Sequence, residues 1–351
     1  MLGTNGGNID MGQVVVIGET AVDVLVACEP GTPVWGQVES EVSDVRLSMG
    51  SSGAITAAAL AALGQPVAFV GVVGDDHLGR FFREELSRLG VDVSELHSLP
   101  GRRTGITVAL ERDADRAMLT FPGTMSVLST GDVPANLVSR AKHVHVSSYF
   151  LQRGLQSGLA ALLARARSSG ATTSLDPGWD GDNEWDAGLG DVLEHVDWFF
   201  PNEAEACSIA NRLAPGIGFN EPSLAAEVLR DLVSGAVVVK RGALGAMILK
   251  REEILELVTE PLTPLDTTGA GDNFDAGFLA AMLEGQDTRG AMALGVACGR
   301  HSILGRGGTG RLAQRFEADA AARDLVGLVT SRHVSDEPMT KSVDQSLWSH
   351  P

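Results

Sequence analysis

The chain has 351 residues, with 45 acidic and 27 basic side chains, and carries a net charge of −18. Hydrophobic residues make up 44% of it and charged residues 21%, which is typical of a soluble globular protein with a full core. The negative charge argues against nucleic acid or an anionic membrane as a partner, because both need a basic surface. The length suits one large α/β domain.

The two ends and the cysteines complete this general description. Residues 1–12 lack the basic start and apolar segment of a signal peptide, which predicts a flexible leader. Residues 331–351 are polar and aperiodic, which predicts a disordered tail. No apolar run reaches the length of a membrane span, so we expect a cytoplasmic protein. Three cysteines show neither metal spacing nor a disulfide pattern and are predicted to be reduced: Cys28, Cys207 and Cys298.

Strand patterns alternate with helical patterns along the chain. Apolar, β-branched runs typical of buried strands lie at 13–18, 66–74, 171–176, 197–202 and 235–242. Patterns with helical spacing lie at 54–64, 78–90, 154–167, 203–211 and 223–233. This alternation predicts a mostly parallel sheet with helices on both faces.

Residues 104–123 break this rhythm. Two strand-like runs are joined there by a charged turn at 112–116, which predicts a β-hairpin. We interpret this hairpin, with a second element around 30–48, as a small β lid on one domain that spans 13–330. A lid that exposes an apolar face is expected to be covered by a second copy, so we predict a homodimer.

A glycine-rich turn at Thr267–Asp272 opens an apolar helical pattern. A helix start has unpaired N–H groups and a partial positive charge, and glycines let an anion approach the backbone. The turn therefore predicts an anion site, with Asp272 at its edge. A plainer alternative is that Asp272 only caps the helix. The chain has no Walker motif, and no G-x-G-x-x-G follows its first strand.

The string DTTGAGDNFDAGF at 266–278 resembles the C-terminal signature of the ribokinase-like (PfkB) carbohydrate kinase family, approximately D-T-x-G-A-G-D-x-F-x-x-G. Further similar segments are GETAVD, MGSSGAITAAALAALG, VGVVGDDHLG, PNEAEA, VVVKRGALGA and ACGRHSILGRGGTG, so the resemblance extends over about residues 13–312. It implies a ribokinase-like three-layer α/β sandwich with a mostly parallel central sheet and a small β lid. The signature's fixed positions are all met, by Asp266, Thr267, Gly269, Ala270, Gly271, Asp272, Phe274 and Gly277.

The resemblance implies a kinase that uses ATP and Mg²⁺. Asp272 would be the general base that takes the proton from a sugar hydroxyl as the hydroxyl attacks the γ-phosphate. The N–H groups that follow Gly269, those of Ala270, Gly271 and Asp272, would form the anion hole. The nucleotide would contact Lys240, Gly242, Gly245, Thr268, Gly269, Gly271 and Asn202.

The resemblance also implies a sugar site and a metal site. Asp23, Gly50, Ser51 and Asp272 would bind the sugar, whereas Asp176 and Glu205 would hold Mg²⁺. A monovalent cation such as K⁺ is implied beside the segment 297–310.

Several of these residues have plainer structural interpretations. Asp23, placed just past a strand, could be a solvated loop carboxylate. Asn202 and Glu205 could be a helix-capping pair. Lys240 could be a surface lysine at a strand end, with Arg241 serving the nucleotide instead.

The chain departs from the family pattern G-G-x-x-x-N at the first helix. Ser51 stands where the family has its second glycine, and Ile55 stands at the asparagine that reaches the sugar. Thr56 and Ser52 are the candidates to supply the missing polar contact. An apolar Ile55 would suit a less polar substrate, so a nucleoside kinase stays an alternative to the ATP-dependent sugar kinase. A catalytically silent sugar or nucleotide binder is the alternative from another class.

Overall fold

The structure is a computed structural model that describes residues 12–29, 31–112, 115–216 and 218–333. The predicted leader, apart from residue 12, and the part of the predicted tail from 334 onward lie outside the described residues. Within the described ranges, no helix is both long enough and apolar enough to cross a membrane.

A ten-stranded sheet lies at the centre of the described chain. Numbered in chain order, its strands are β1 (Val14–Ile17), β4 (Val67–Gly74), β5 (Leu96–Leu99), β8 (His143–Val146), β9 (Thr172–Leu175), β10 (Trp198–Phe199), β11 (Ala236–Lys240), β12 (Ala246–Leu249), β13 (Glu253–Leu257) and β14 (Thr330–His333). Their order is β14-β13-β12-β11-β10-β9-β8-β1-β4-β5. The strands from β11 to β5 pair in parallel, and β12, β13 and β14 add an antiparallel edge.

The last strand extends beyond residue 330, the predicted end of the domain. Its residues pair with β13 as far as His333. Its sequence, Thr-Ser-Arg-His, is polar and exposed, so its pairing depends on backbone hydrogen bonds at a sheet edge. A hydropathy pattern does not show such a strand.

Helices cover both faces of this sheet. They are α1 (Ser52–Ala62), α2 (His77–Arg88), α3 (Ala135–Arg140), α4 (Arg153–Ser168), α5 (Leu189–Leu193), α6 (Glu203–Leu213), α7 (Pro222–Leu232), α8 (Ala270–Leu283), α9 (Thr288–Ser302) and α10 (Arg315–Val326). Val14 and Val16 of β1 pack into the core with α1, α2, α8, α9 and α10, whereas Val15 and Ile17 pack into the core with α3 to α7. Both faces of β1 are buried, as a central parallel strand requires. The predicted three-layer α/β sandwich is confirmed.

A separate four-stranded sheet forms the lid. Its strands are β2 (Ala21–Ala27), β3 (Asp44–Met49), β6 (Gly105–Arg112) and β7 (Asp115–Phe121), in the order β3-β2-β6-β7. The hairpin expected at 104–123 is formed by β6 and β7. The lid element expected around 30–48 starts earlier, with β2. Only Gly18–Thr20 separate β1 from β2, which is too short for a parallel crossover, so the chain leaves the main sheet here.

The register of the lid separates a polar face from an apolar one. Asp23 of β2 lies opposite Ser48 of β3 and Thr107 of β6. The next residue along each strand points its side chain to the opposite face of the lid. That face carries the aliphatic row Leu47, Val24, Val108 and Leu119, which crosses all four strands.

Candidate active site

The carboxyl ends of adjacent parallel strands meet at one edge of the main sheet. Glu19 follows β1, Ser148 follows β8, Asp176 follows β9, and Lys240 ends β11. In open α/β sheets this edge is where ligands bind. The first turn of α8, with Asp272, reaches the same place.

The glycine turn before α8 is shaped by close contacts. Gly269, the residue before α8, has φ 73°, and a Cβ on it would lie 2.6 Å from Gly308 Cα. A Cβ on Gly271 would lie 3.3 Å from the Nζ of Lys240. Asp266 holds the turn by accepting hydrogen bonds from the N–H groups of Thr268 at 2.8 Å and Gly307 at 2.7 Å. The turn thus joins the segment 297–310.

The N–H groups at the start of α8 have no intrahelical acceptor, which leaves them for an anion. The N–H of Ala270 donates to the Thr267 carbonyl over 3.3 Å, a long bond that an incoming anion could replace. The predicted anion hole is therefore consistent with the backbone geometry.

Asp272 lies in the first turn of α8, partly accessible, and accepts a hydrogen bond from the Ser52 hydroxyl to its Oδ1. Burial raises the pKa of its carboxyl to about 7, and the negative charge of Asp176 adds to this effect. The hydrogen bond from Ser52 and the positive charge of Lys240 act in the opposite direction. A carboxyl with a pKa near neutrality is suited to accept a proton at physiological pH.

Lys240 is paired rather than free. Its side chain is 12% exposed and contacts Asp176, and its Nζ lies 3.3 Å from Asp275 Oδ2. Burial alone would raise the pKa of Asp176, but Lys240 and a hydrogen bond from Asp275 lower it below its usual value. The interpretation of Lys240 as a surface lysine is wrong, because its ammonium group lies buried beside Gly271.

Asp275 is fully buried, one turn after Asp272 on α8, and its Oδ1 has no hydrogen-bond partner. Burial raises the pKa of Asp275 well above its usual value, although Lys240 opposes this. The raised pKa favours the protonated form of Asp275, which can donate a hydrogen bond to Asp176. The two acids with Lys240 form a buried cluster whose net charge is near zero.

Asn202 and Glu205 form the reciprocal cap considered as their plainer interpretation. Asn202 Oδ1 accepts from the Glu205 N–H at 2.9 Å, and Glu205 Oε2 accepts from the Asn202 N–H at 2.8 Å. Burial raises the pKa of Glu205 to about 7, and the negative charge of Asp176 adds to this effect. Asn202 also pairs with the backbone of Lys240, so the cap borders the site.

Asp23 does not lie in a loop past the first strand, as the sequence suggested. It lies within β2 of the lid and faces Gly50, where an added Cβ would fall 2.6 Å from Asp23 Oδ1. Glycine at 50 therefore leaves room for this carboxylate. Its predicted position just past the first strand is wrong because β2 belongs to the lid and not to the main sheet.

Ser51 takes the backbone conformation of the glycine that it replaces, with φ 81°. Two hydrogen bonds offset this unfavourable conformation: its hydroxyl donates to the Glu19 carbonyl at 2.5 Å and accepts from the Ala54 N–H at 3.1 Å. Ser51 is the N-cap of α1 and is 9% exposed.

Ile55 is 3% exposed and packs against the two glycine loops, so that a Cβ on Gly308 would overlap its Cδ1. Its role is to fill the space under Gly269 and Gly308. The suggested preference for a less polar substrate stays a prediction.

A cavity of about 330 Å³ opens beside the glycine turn. Small ligands are commonly bound in cavities of this size. Of the residues expected to bind nucleotide, it brings together Lys240, Gly242, Gly245 and Gly271; Thr268, Gly269 and Asn202 are outside its lining. The rest of its lining is mostly apolar, as a purine base would need, and consists of Ala243, Leu262, Pro264, Thr267, Ala270, Phe274, Val296, Gly299, Arg300 and Ile303.

Sequence reasoning missed two acids of the site and one contact. Glu19 is 5% exposed, and burial raises its pKa to about 7. Its position directly after the first strand was the available signal. Asp275 was detectable as the one acid in the apolar stretch that follows Asp272. The bond between Ser52 and Asp272 joins residues 220 positions apart and left no local signal.

The layered sheet and its lid define the chain as a protein with the ribokinase fold. A provisionally assigned ribokinase II from Escherichia coli in complex with ATP and Mg²⁺ superposes with a TM-score of 0.77 at 24% identity, over 89% of this chain and 99% of that one. A fructokinase from Vibrio cholerae, bound to fructose, ADP and calcium, gives a TM-score of 0.72 at 25% identity, over 89% and 99% of the two chains.

The chain belongs to the pfkB family of carbohydrate kinases, whose sequence profile matches residues 11–314. An ATP-dependent ribose-1-phosphate kinase of Halopiger xanaduensis is 30% identical over 264 residues, which are 74% of this chain and 82% of the relative. A nucleoside kinase of Methanothermobacter thermautotrophicus is 26% identical over 82% of this chain and 86% of the relative. The resemblance found in the sequence is confirmed at the level of the family.

Proposed function

We propose that the chain is a cytoplasmic, ATP-dependent kinase that transfers the γ-phosphate to a hydroxyl of a small sugar or sugar-like substrate. The observation that supports this most is Asp272, a carboxyl with a pKa of about 7 in the first turn of α8, next to N–H groups of a helix start that have no intrahelical acceptor. A proton acceptor beside an anion site is the pair of functions that phosphoryl transfer to a hydroxyl needs.

In the proposed step, Asp272 accepts the proton of the substrate hydroxyl while that oxygen forms a bond to the γ-phosphorus. The bond from phosphorus to the bridging oxygen breaks, and ADP leaves with the electron pair. The N–H groups of Ala270, Gly271 and Asp272 stabilise the charge on the phosphoryl oxygens. The ammonium group of Lys240 lies beside Gly271 at the same place, where Asp176 balances its charge in the absence of phosphate.

The carboxylates near the turn would supply only part of the ligands of a Mg²⁺ ion, and the phosphates of the nucleotide would supply others. Within the described residues, no group of three or more metal-binding side chains is arranged around one point. Asp176 and Glu205 are oxygen donors, and Mg²⁺ commonly combines one or two carboxylates with phosphates and water. We propose that these two carboxylates hold the ion, which neutralises phosphate charge when it is bound. A K⁺ site beside Asp266 and the 297–310 segment also stays a proposal.

A sugar that already carries a phosphate is a second candidate substrate. A cavity of about 690 Å³ separates the lid from Asp266 and Thr267. It is lined by Arg46, Arg112 and Arg306 and by the acids Asp44 and Glu111, and Asp44 pairs with Arg46. Guanidinium groups are well suited to bind phosphate. The relative named as a ribose-1-phosphate kinase is consistent with this candidate, and the relative named as a nucleoside kinase keeps nucleosides as a further alternative.

The test is ADP release from ATP and Mg²⁺ with a panel of free sugars, sugar phosphates and nucleosides. We expect at least one member to raise ADP release well above the rate without acceptor, and Asp272→Asn to abolish the increase. If nucleotide binds but no acceptor raises the rate above that of Asp272→Asn, the chain is a silent binder and the proposed function is wrong.

We propose a homodimer in which the apolar lid faces cover each other. Leu47 is 48% and Leu119 63% exposed, and they lie in the aliphatic row that crosses the lid.

We expect Leu47→Glu to halve the mass measured by analytical ultracentrifugation, because a charge in this apolar face costs binding energy. Phe316→Glu, a change at an exposed aromatic side chain of α10, is the control. A wild-type protein that sediments as a single chain at high concentration would refute the dimer.

A further inference from the structure

The carboxyl of Asp272 is held from outside its own helix. Ser52, the first residue of α1, donates its hydroxyl hydrogen to Asp272 Oδ1. No donor from the described part of the chain bonds the other oxygen, Oδ2. A hydrogen bond to one carboxylate oxygen restricts rotation of the whole group, so it also fixes the direction of the second oxygen.

The hydroxyl of Ser52 is not used to cap its own helix. Ser51 is the N-cap of α1, and the Ser51 hydroxyl accepts from the Ala54 N–H. The contact between Ser52 and Asp272 is therefore separate from the stability of the helix start. Ser52 is half-buried, so a change at this position does not disrupt the core.

Glu19 anchors Ser52 from the end of β1. Its Oε1 accepts from the Ser52 N–H at 2.9 Å, and its backbone carbonyl accepts from the Ser51 hydroxyl at 2.5 Å. A carboxyl at a helix start, where N–H groups are unpaired, is favourably placed. Glu19 is 5% exposed and contacts Ser52 through this N–H group, and its negative charge also raises the pKa of Asp272.

We propose, building on the function given above, that Ser52 and Glu19 are positioning residues for phosphoryl transfer. Ser52 orients Asp272 so that Oδ2 faces the incoming hydroxyl, and Glu19 fixes Ser52 by binding its N–H group. The arrangement connects the end of β1 to the starts of α1 and α8. It assigns to Ser52, the first residue of α1, a role that differs from a direct contact with the substrate.

The principal test is Ser52→Ala with the best acceptor from the panel. We expect kcat to fall about 10- to 100-fold, because a hydrogen bond to a charged group is lost, while KM changes far less. Ser52→Thr keeps the hydroxyl and is expected to restore most of the activity. Ser168→Ala removes a hydroxyl from a remote exposed site on α4 and should match the wild type.

The pH profile of kcat/KM separates positioning from a general loss of structure. Asp272 is surrounded by the acids Glu19, Asp176 and Asp275 and by the cation Lys240. With a raised pKa the base is protonated and inactive at low pH, so kcat/KM should rise with pH through about 7 in the wild type. In Ser52→Ala the carboxylate loses a donor, so the midpoint should move up by about one pH unit.

The variants of Glu19 test the second link. Glu19→Gln keeps an oxygen that can accept from the Ser52 N–H and should lower kcat only slightly. Glu19→Met removes that acceptor and should reproduce the fall in kcat of Ser52→Ala, with folding checked by circular dichroism.

Two outcomes would overturn the inference. The first is a Ser52→Ala enzyme with the kcat and pH profile of the wild type. The second is a rise in KM at constant kcat, which would make Ser52 a substrate contact. In either case Asp272→Asn would still abolish activity, so these results differ from failure of the proposed function, in which no acceptor is phosphorylated at all.

Discussion

Asp272→Asn is expected to lower kcat by about 10²- to 10⁴-fold, the contribution of a positioned general base. Asparagine has almost the same shape and can still accept from Ser52, but its amide cannot take up the substrate proton. Because the backbone N–H groups of the turn are unchanged, binding of ATP should be retained. Steady-state rates would measure the loss in kcat, and calorimetry would measure the affinity for nucleotide. Together they show whether only the chemical step is affected.

The same substitution should not destabilise the protein at neutral pH. Burial raises the pKa of Asp272 to about 7, above its value in the unfolded chain, so the ionised form costs stability as pH rises through 7. A neutral amide avoids this cost, and we expect Asp272→Asn to unfold at an equal or higher temperature than the wild type at pH 8. Activity within tenfold of the wild type would exclude Asp272 as the base, whatever its stability.

The glycine turn was readable from sequence because its chemistry is local. Gly269 and Gly271 lie within four residues of Asp272, and the helix that follows has an apolar pattern of its own. The strand ends at Asp176 and Lys240 were also readable, since parallel strands carry their ligand residues at one edge. These features depend on short-range sequence and on a general rule of sheet topology.

What the sequence did not show depends on pairs of residues far apart in the chain. The sequence indicated a cation at Lys240 but not its pairing with Asp176 and Asp275, 64 and 35 positions away. Asp23 was placed just past the first strand because the pattern of β2 does not reveal which sheet it joins. Both outcomes are decided by tertiary packing, which fixes the partner of a polar side chain only after the layers are assembled.

Lys240→Met should have the largest effect on stability, lowering the free energy of unfolding by about 3–5 kcal/mol. The substitution keeps the aliphatic volume but leaves Asp176, which is 5% exposed, without the cation that keeps it ionised. Once Lys240 is absent, burial raises the pKa of Asp176 above its unfolded value. Stability is then lost as pH rises through that higher pKa, so urea unfolding should show a larger loss at pH 8 than at pH 5.

A double-mutant cycle tests whether the loss comes from the buried ion pair. Adding Asp176→Asn to Lys240→Met removes the uncompensated carboxyl, so the double variant should be more stable than the sum of the single effects predicts. Arg212→Met breaks the exposed pair with Asp186, whose atoms are 3.1 Å apart, and should cost only about 0–1 kcal/mol. Equal losses for Lys240→Met and Arg212→Met, or a loss that does not depend on pH, would contradict the assignment of a buried, ionised Asp176. Because the same ammonium group lies beside Gly271, the cycle measures the coupling energy between Lys240 and Asp176 that holds this cation next to the anion turn.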